Sequence, residues 1–519
     1  MTSLAFILGM LPMVVASGPG SASRQAIGTG VFFGMIVAVS VGILLVPFFF
    51  VLIYKAKGKF NRKRLSGAGL ILLAVGTGLS SCQIGKSYTR PDMPLPARLD
   101  TLTQDTASIG DLSWWELYND TTLQQLIHRA LTYNKDLKIA SARMNELAAL
   151  KRIDFANMFP QATARLNGNR ETTNYGGDNF DADPELSLTA SISWELDLWG
   201  NLRWARDHST AEFLASVENC RAVKMGLVAQ VAQSYFELMA LDNELAIVRR
   251  TLEARREGVR LAEIRFKGGL TSEIVFQQAK VELAKTATMV PDLERRISLK
   301  ESEIALLTGD FPYAVNRNVL PEEIQLPDAL PLGLPSTLLE RRPDIRKAER
   351  ELMAAHAEVG LAYTNMFPRL ALTATLGAES ETLRDLLKSP YSYLAGNLLS
   401  PLFAMGKNRA ALKAKRAAYE GAVAEYEKTV LTAFKETHDA IINFNKIKDI
   451  YESRRQLAEA SRTAVELAQL QYINGVIGYL DLLDAQRNYF DAQVSLSNAV
   501  CDKQLMIINL YKALGGGWK

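Results

Sequence analysis

Two aspartates three residues apart, Asp481 and Asp484, follow a glycine-bearing stretch and are the carboxylates whose spacing best suits a shared task. On a helix, residues i and i+3 lie on one face. Repeated around a narrow passage, such a pair would favour cations over anions; the plainer alternative is a solvated helix face. Catalytic groupings are harder to find. The four histidines, His128, His208, His356 and His438, are widely separated and none belongs to an HExxH motif, and no GxxxxGK[ST] loop occurs. Asp344 and Glu349 near Arg341 suggest a salt-bridge network rather than an acid–base pair. The expectation is a chain that is not an enzyme, with no metal and no cofactor.

The elements that must position those aspartates belong to a long chain of 519 residues, 48% hydrophobic, with 59 basic against 56 acidic side chains. That near-neutral balance argues against a nucleic-acid binder, which would need a basic surface for phosphates. Three cysteines, Cys82, Cys220 and Cys501, give no disulfide framework; the last two read as packed thiols. Residues 31–53 carry no charge, enough for a bilayer-spanning helix. A basic run from Lys55 to Arg64 then precedes a shorter apolar run, 65–79, and the tetrad Leu79-Ser80-Ser81-Cys82. Basic, apolar and small residues in that order are the pattern of an export signal, over 55–81. The tetrad resembles a bacterial lipobox, so Cys82 is the expected lipidation site, with Gln83 after it favouring the outer membrane. Acyl chains would tether Cys82 to a leaflet without opening a path through it.

Beyond Cys82 the chain repeats itself. NMFP occurs at 157–160 and 365–368, Gly200 and Arg203 correspond to Gly406 and Arg409, and RFKGGLTSEIVFQQAK at 265–280 corresponds to QYINGVIGYLDLLDAQ at 471–486. After an N-terminal periplasmic segment, 82–121, the halves span 122–308 and 339–514, joined by a proline-rich crossover, 309–338, and followed by a short tail, 515–519. Each reads helix, strand, turn, strand, long helix, tight turn, helix. In the first, 122–158 is helical, 162–169 alternates, and ELSLTASISWELDLWG at 185–200 is a strand with one dry face. Residues 203–266 form one helix, its apolar stripe running through Val223, Leu227, Val231, Tyr235 and Leu238, with Arg249, Arg250, Arg255 and Arg256 in wetter stretches. Helix resumes over 271–307, kinked at Pro291. The second half has a helix over 339–366, strands at 369–377 and 393–403, a short loop helix within 382–391, and helices over 407–472 and 479–514.

Four strands cannot close a barrel in lipid, because open edges would leave amides unpaired in hydrocarbon. Either several copies share one barrel or the strands lie outside a membrane. Trp194 and Trp199 fit either an interfacial anchor or packing where strands meet helices.

The segments LPSTLLERRPDIRKAERELMAAHAEVGLAYTNMFPRL (334–370), SWELDLWGNLR (193–203), RFKGGLTSEI (265–274) and YINGVIGYLDLLDAQRNYF (472–490) resemble the outer-membrane efflux protein family, in its lipoprotein branch paired with resistance-nodulation-division pumps. The resemblance covers essentially all of 82–519. It implies a mainly α fold with membrane β: a homotrimer whose outer-membrane β-barrel, four strands per chain and twelve in total, continues into a long periplasmic α-helical barrel. Such a channel passively conducts small solutes such as drugs from a periplasmic membrane-fusion adaptor and an inner-membrane pump. A type I protein-secretion channel and a non-conducting scaffold are the alternatives. The turns Lys267, Gly268, Gly269, Leu270, Thr271, Ser272 and Asn474, Gly475, Val476, Ile477, Gly478 become the adaptor-docking tips, and Asp481 with Asp484 the candidate periplasmic gate. Arg341, Arg342, Pro343 and Asp344 form a motif with either a helix-starting role or a partner contact. Residues 1–54 resemble the end of a resistance-nodulation-division pump, from a misplaced start, a fusion or a genuine extra anchor.

Overall fold

A computed structural model of the chain describes residues 83–94, 108–118, 120–173, 181–317 and 335–518. Cys82, the apolar span 31–53, the export signal and most of the proline-rich crossover lie outside the described residues. Short helices α1 (Trp114–Leu117), α2 (Thr121–Tyr133) and α3 (Lys135–Ala156) lead to strands β1 (Gln161–Thr173) and β2 (Asp181–Leu196), then to helices α4 (Asn201–Lys267) and α5 (Glu273–Leu307). The pattern recurs in α6 (Pro335–Arg341), α7 (Pro343–Thr364), β3 (Arg369–Ser380), β4 (Pro390–Leu399), α8 (Lys407–Ile473) and α9 (Tyr479–Ala513). The correspondence is residue for residue in the rods: α4 and α8 each have 67 residues, α5 and α9 each 35. At 1.5 Å per residue the longer ones extend about 100 Å.

The core lies around the middle of α4. Leu227, Val231, Tyr235 and Leu238 are buried as their spacing predicts, with Val223 half-buried. They pack with Leu123, Leu126 and Ile127 of α2 and Ile508 and Leu510 of α9. Polar groups inside this core are paired, as burial demands. The Tyr235 hydroxyl donates to Asp120 Oδ2 at 2.9 Å, and the other oxygen of Asp120 caps α2 by accepting from the Thr122 and Leu123 amides.

The strands form one antiparallel sheet in the order β1-β2-β3-β4, so β1 and β4 are its edges. Leu166 faces Leu188, Ile192 faces Ala374 and Leu370 faces Leu398. Because side chains alternate, all even-numbered residues share one face. Leu166, Leu376, Leu394 and Leu398 on that face are each 67% exposed. Thr163, Asn167, Thr189, Ser191, Thr373, Thr375 and Asn397 share the other, where Ser191 Oγ lies 2.9 Å from Thr375 Oγ1. One face suits lipid and the other water.

Several predicted elements differ from those observed. The helix expected over 122–158 breaks at Asn134, whose side-chain oxygen accepts from the Leu137 amide to start α3 while its Nδ2 donates to Leu307 O at the end of α5. The helix expected over 339–366 breaks at Arg342, since Pro343 takes the first position of α7, where its missing N–H costs nothing. The last strand ends at Leu399, not 403; Pro401 has no amide to continue the ladder. Within 382–391 only a single 3-10 turn forms, Leu386–Lys388. Through Pro291, α5 runs without interruption.

Candidate functional site

Both long hairpins end in the same turn. In the first, Leu270 N donates to Arg265 O and Gly269 N to Phe266 O, each at 2.9 Å; in the second, Val476 N donates to Gln471 O at 2.8 Å and Gly475 N to Tyr472 O at 3.1 Å. This pair of bonds closes a helix through one left-handed residue, a position that favours glycine. Gly269 at φ 74 and Gly475 at φ 72 occupy it. Three apolar positions are exposed at equivalent places on the two turns: Ile264 with Leu470, Leu270 with Val476, and Ile274 with Leu480. Arg265 lies over the Tyr472 ring, 4.7 Å from its centroid, joining the hairpins near their ends.

Asp481 and Asp484 lie exposed on the first turns of α9. Asp481 Oδ2 accepts from the Gly478 amide at 3.1 Å, so it holds the helix start as well as carrying charge where the helix dipole is positive. Asp484 Oδ2 accepts from Asn488 Nδ2 at 3.2 Å. The first hairpin places Val275 and Gln278 at the same positions.

Above the turns lies a charged link that the run of arginines conceals. Arg255, expected in a wet stretch, is instead largely enclosed, its side chain 10% exposed: its guanidinium lies 2.9 Å from Glu282 Oε2 and also donates to the Glu282 carbonyl and Thr286 Oγ1. Glu282, only 3% exposed, also accepts from Arg487 of α9, which ties the first hairpin to the second. Burial pushes the Glu282 carboxyl up, but the Arg487 hydrogen bond and the Arg255 charge outweigh it and hold the group below the usual carboxylate range. Desolvation lowers Arg255 despite its partner. The signal was present: Arg255 lies thirteen residues before Gly268 and Glu282 thirteen after Gly269, so they meet when the hairpin folds. Beside this link is a cavity of about 330 Å³ between the hairpins, lined by Leu261, Tyr472, Tyr479 and Leu482 among others.

Where sheet becomes helix, both tryptophans are half-buried and held by hydrogen bonds to backbone carbonyls. Trp194 Nε1 donates to Met158 O at 3.0 Å, and Trp199 Nε1 to Pro368 O at 2.7 Å while its ring stacks on Phe367. The first described residues are fixed at the same level: Ile84 N donates to Trp199 O at 3.1 Å, Trp204 Nε1 to Ile84 O at 2.9 Å, and Gln83 Nε2 to Asp207 Oδ2 at 3.2 Å.

The expected network around Arg341 separates into three pairs, Arg341 with Asp111, Arg342 with Asp344 and Arg90 with Glu349. Arg342 is buried, and besides Asp344 it reaches Glu436 and the carbonyls of Ala433 and Ala513, joining α7, α8 and the end of α9. Asp344 Oδ1 accepts from the Ile345 amide at 3.0 Å. These contacts serve packing and the helix start. Cys501 is buried and its thiol is pushed up to about 12 by desolvation; Cys220 is half-buried. His356 lies in an aromatic cluster with Tyr88, Trp204 and Tyr419, where burial lowers its pKa. Among the described residues no group of three His, Cys, Asp or Glu could hold a metal.

Residues 126–310 and 334–516 match the model of the outer membrane efflux protein family, one match on each half, and residues 1–54 match the AcrB/AcrD/AcrF family. The chain is 32% identical over 473 residues to outer membrane protein OprJ of Pseudomonas aeruginosa, covering 88% of this chain and 97% of that protein. It is 28% identical over 468 residues to a probable outer membrane lipoprotein, SilC, of Salmonella typhimurium, covering 88% and 99%. Among solved structures, the outer-membrane channel OprN superposes with a TM-score of 0.78 at 30% identity, over 84% of this chain and all of that one.

Proposed function

The chain belongs to the outer membrane efflux protein family and is the outer-membrane channel of an efflux system; on that premise we propose that three copies close a twelve-stranded barrel and prolong it across the periplasm as an α-helical tunnel. The observation that carries this is the sheet: an exposed apolar face, an opposite polar face and two edge strands, set at the end of rods about 100 Å long. Edge amides in hydrocarbon cost several kcal/mol each, so neighbouring copies must cover them.

At the other end, the paired apolar positions on the two turns supply a docking surface for a periplasmic adaptor. Asp481 and Asp484 of three copies ring the entrance there. Opening separates the second hairpin from the first, and an adaptor drives it by binding the dilated form more tightly. The Arg255–Glu282–Arg487 link resists that separation, while the adjacent cavity leaves room for helices to shift. The pump-family match of residues 1–54 supports a resistance-nodulation-division pump as the inner-membrane partner. Acylated Cys82 begins the mature protein: Gln83 and Ile84 are held at the foot of β2, where lipids on the preceding residue would enter the periplasmic-side leaflet.

Single-channel recording of the purified protein in planar bilayers tests the reading. A low resting conductance that rises, with loss of cation preference, in Asp481→Ala/Asp484→Ala is the expected result. A scaffold would stay silent under every dilation of the turns. Mass determination of the mature N-terminus should find a lipidated Cys82; a product retaining residues 1–54 would overturn the processing.

A further inference from the structure

The polar face of the sheet carries two aromatic rings. Tyr391 and Tyr393 stand at the start of β4, the end of the sheet farthest from the long helices, and alternation puts them on the face of Ser191 and Thr375. Tyrosines that anchor a barrel at a membrane surface lie on its lipid side, so anchoring does not account for these two. Tyr391 is opposite Gly377, and its ring rests on that glycine: a methyl group built there would lie 2.7 Å from the ring. The ring thus reaches across β3 and leaves its other side to the water, 39% exposed, while Tyr393, opposite Thr375, is 60% exposed. Covering a strand glycine explains the first ring but not the second.

The first hairpin lacks this feature. Setting Gln161 opposite Ser193 against Arg369 opposite Leu399 aligns the two hairpins, and the pairs equivalent to Gly377–Tyr391 and Thr375–Tyr393 are then Asn169–Glu185 and Asn167–Ser187. Acids lie beside the rings. Glu379 follows Gly377 on the same face of β3, opposite Ser187 of β2, and Glu185 comes next along β2; both are exposed. Arg165, opposite Thr189, is the one cation among the described residues of these rows, and it belongs to β1, the strand farthest from β4 in the sheet. An aromatic face attracts a cation within about 6 Å of its centroid. Open rings next to carboxylates therefore suit a flat organic cation, whose own ring lies on tyrosine while its charge meets the acid.

We propose that Tyr391 and Tyr393, with Glu379, form a subsite at the outer mouth of the channel that holds aromatic organic cations on their way out. This rests on the channel reading above, which makes the polar face the wall of a water path, and deepens it by naming a chemical class of solute that the wall retains.

Current through the full-length protein in planar bilayers reads the site, recorded also in the Asp481→Ala/Asp484→Ala background, which removes the acids at the opposite end. Ethidium, a flat aromatic cation, added on the side of the β3–β4 loop should interrupt the open current increasingly with concentration. Pyrenesulfonate, flat but anionic, and N-methylglucamine, cationic but without a ring, should not. Tyr391→Ser/Tyr393→Ser should raise the half-blocking concentration of ethidium about tenfold, and Glu379→Gln about threefold. Tyr391→Phe/Tyr393→Phe keeps the ring faces and should stay within about twofold of the native value. Should the double serine variant fail to insert, Tyr393→Ser, which uncovers no glycine, should still raise it about threefold. A conducting protein that ethidium and pyrenesulfonate block equally, or that ethidium blocks as well without the tyrosines as with them, overturns the site and leaves the channel standing. A chain silent under every dilation of the turns overturns both.

Discussion

The two hairpin turns have one backbone and two chemistries. Both close through a left-handed glycine, and both expose apolar residues at the same three positions. They diverge one turn further up. The second carries Asp481 and Asp484 where the first has Val275 and Gln278, whereas the first carries buried Glu282 where the second has exposed Asn488. Duplicated shape therefore exposes the same apolar surface twice, the surface proposed to dock an adaptor, while charge is divided: the second hairpin holds the carboxylates proposed to ring the entrance and the first holds the acid that fastens the two together. A repeat need not duplicate function to remain a repeat in structure.

Breaking that division should give its largest effect at Glu282. Glu282→Gln leaves the largely enclosed Arg255 without its counter-charge, and removing one partner of such a pair costs about 3 kcal/mol; half-exposed Arg487 adds little. Asn488→Ala, at the equivalent place on the other hairpin, should change stability by no more than about 0.5 kcal/mol. Thermal melting of both variants measures the contrast, and the Glu282 variant should also raise resting conductance. Titration sharpens the same point. A carboxyl held below its ordinary pKa contributes stability that is fully present above the usual carboxylate range and lost as pH falls through the lowered value. The melting temperature of the native protein should therefore drop on acidification through that window more steeply than that of Glu282→Gln, and equal slopes would exclude the link as the cause.

Next in size are the helix starts. Asp481→Ala removes the acceptor for the Gly478 amide at a cost of about 1 kcal/mol, seen as faster amide exchange at the start of α9. Val275→Asp, giving the first turn the second's acid, should gain about 0.5 kcal/mol from the dipole at the start of α5. Smallest in stability are Leu270→Ser and Val476→Ser, within about 0.5 kcal/mol, although each should weaken capture by a periplasmic adaptor and the double variant should weaken it more. Undiminished capture by the double variant would remove the turns from the docking surface.

What the sequence made legible followed from local rules. Glycines in corresponding turns, an alternating strand and apolar residues at helical spacing each act within a few residues, so the rods, the turns and the dry face of β2 stood where expected. The breaks did not. Asn134 looks like any polar residue on a helix, but its amide is committed to Leu307, 173 residues away, and only the fold brings that carbonyl to it. Arg255 was hidden among other arginines for the same reason, since its burial depends on which face of α4 turns toward α5. Arg342 joins three helices through carbonyls that have no side-chain signature. Long-range pairing is what single-sequence periodicity leaves out.

The equal rods carry an implication for how the proposed tube can change size. An added residue rotates everything beyond it by about 100° around the helix axis, so a single insertion in α4 would turn the first hairpin's lower portion away from its neighbours and leave its end lower than its twin's. Only changes shared by all four helices, in steps close to whole turns, keep the rim level. The reach of the proposed tunnel can therefore lengthen in jumps but not creep.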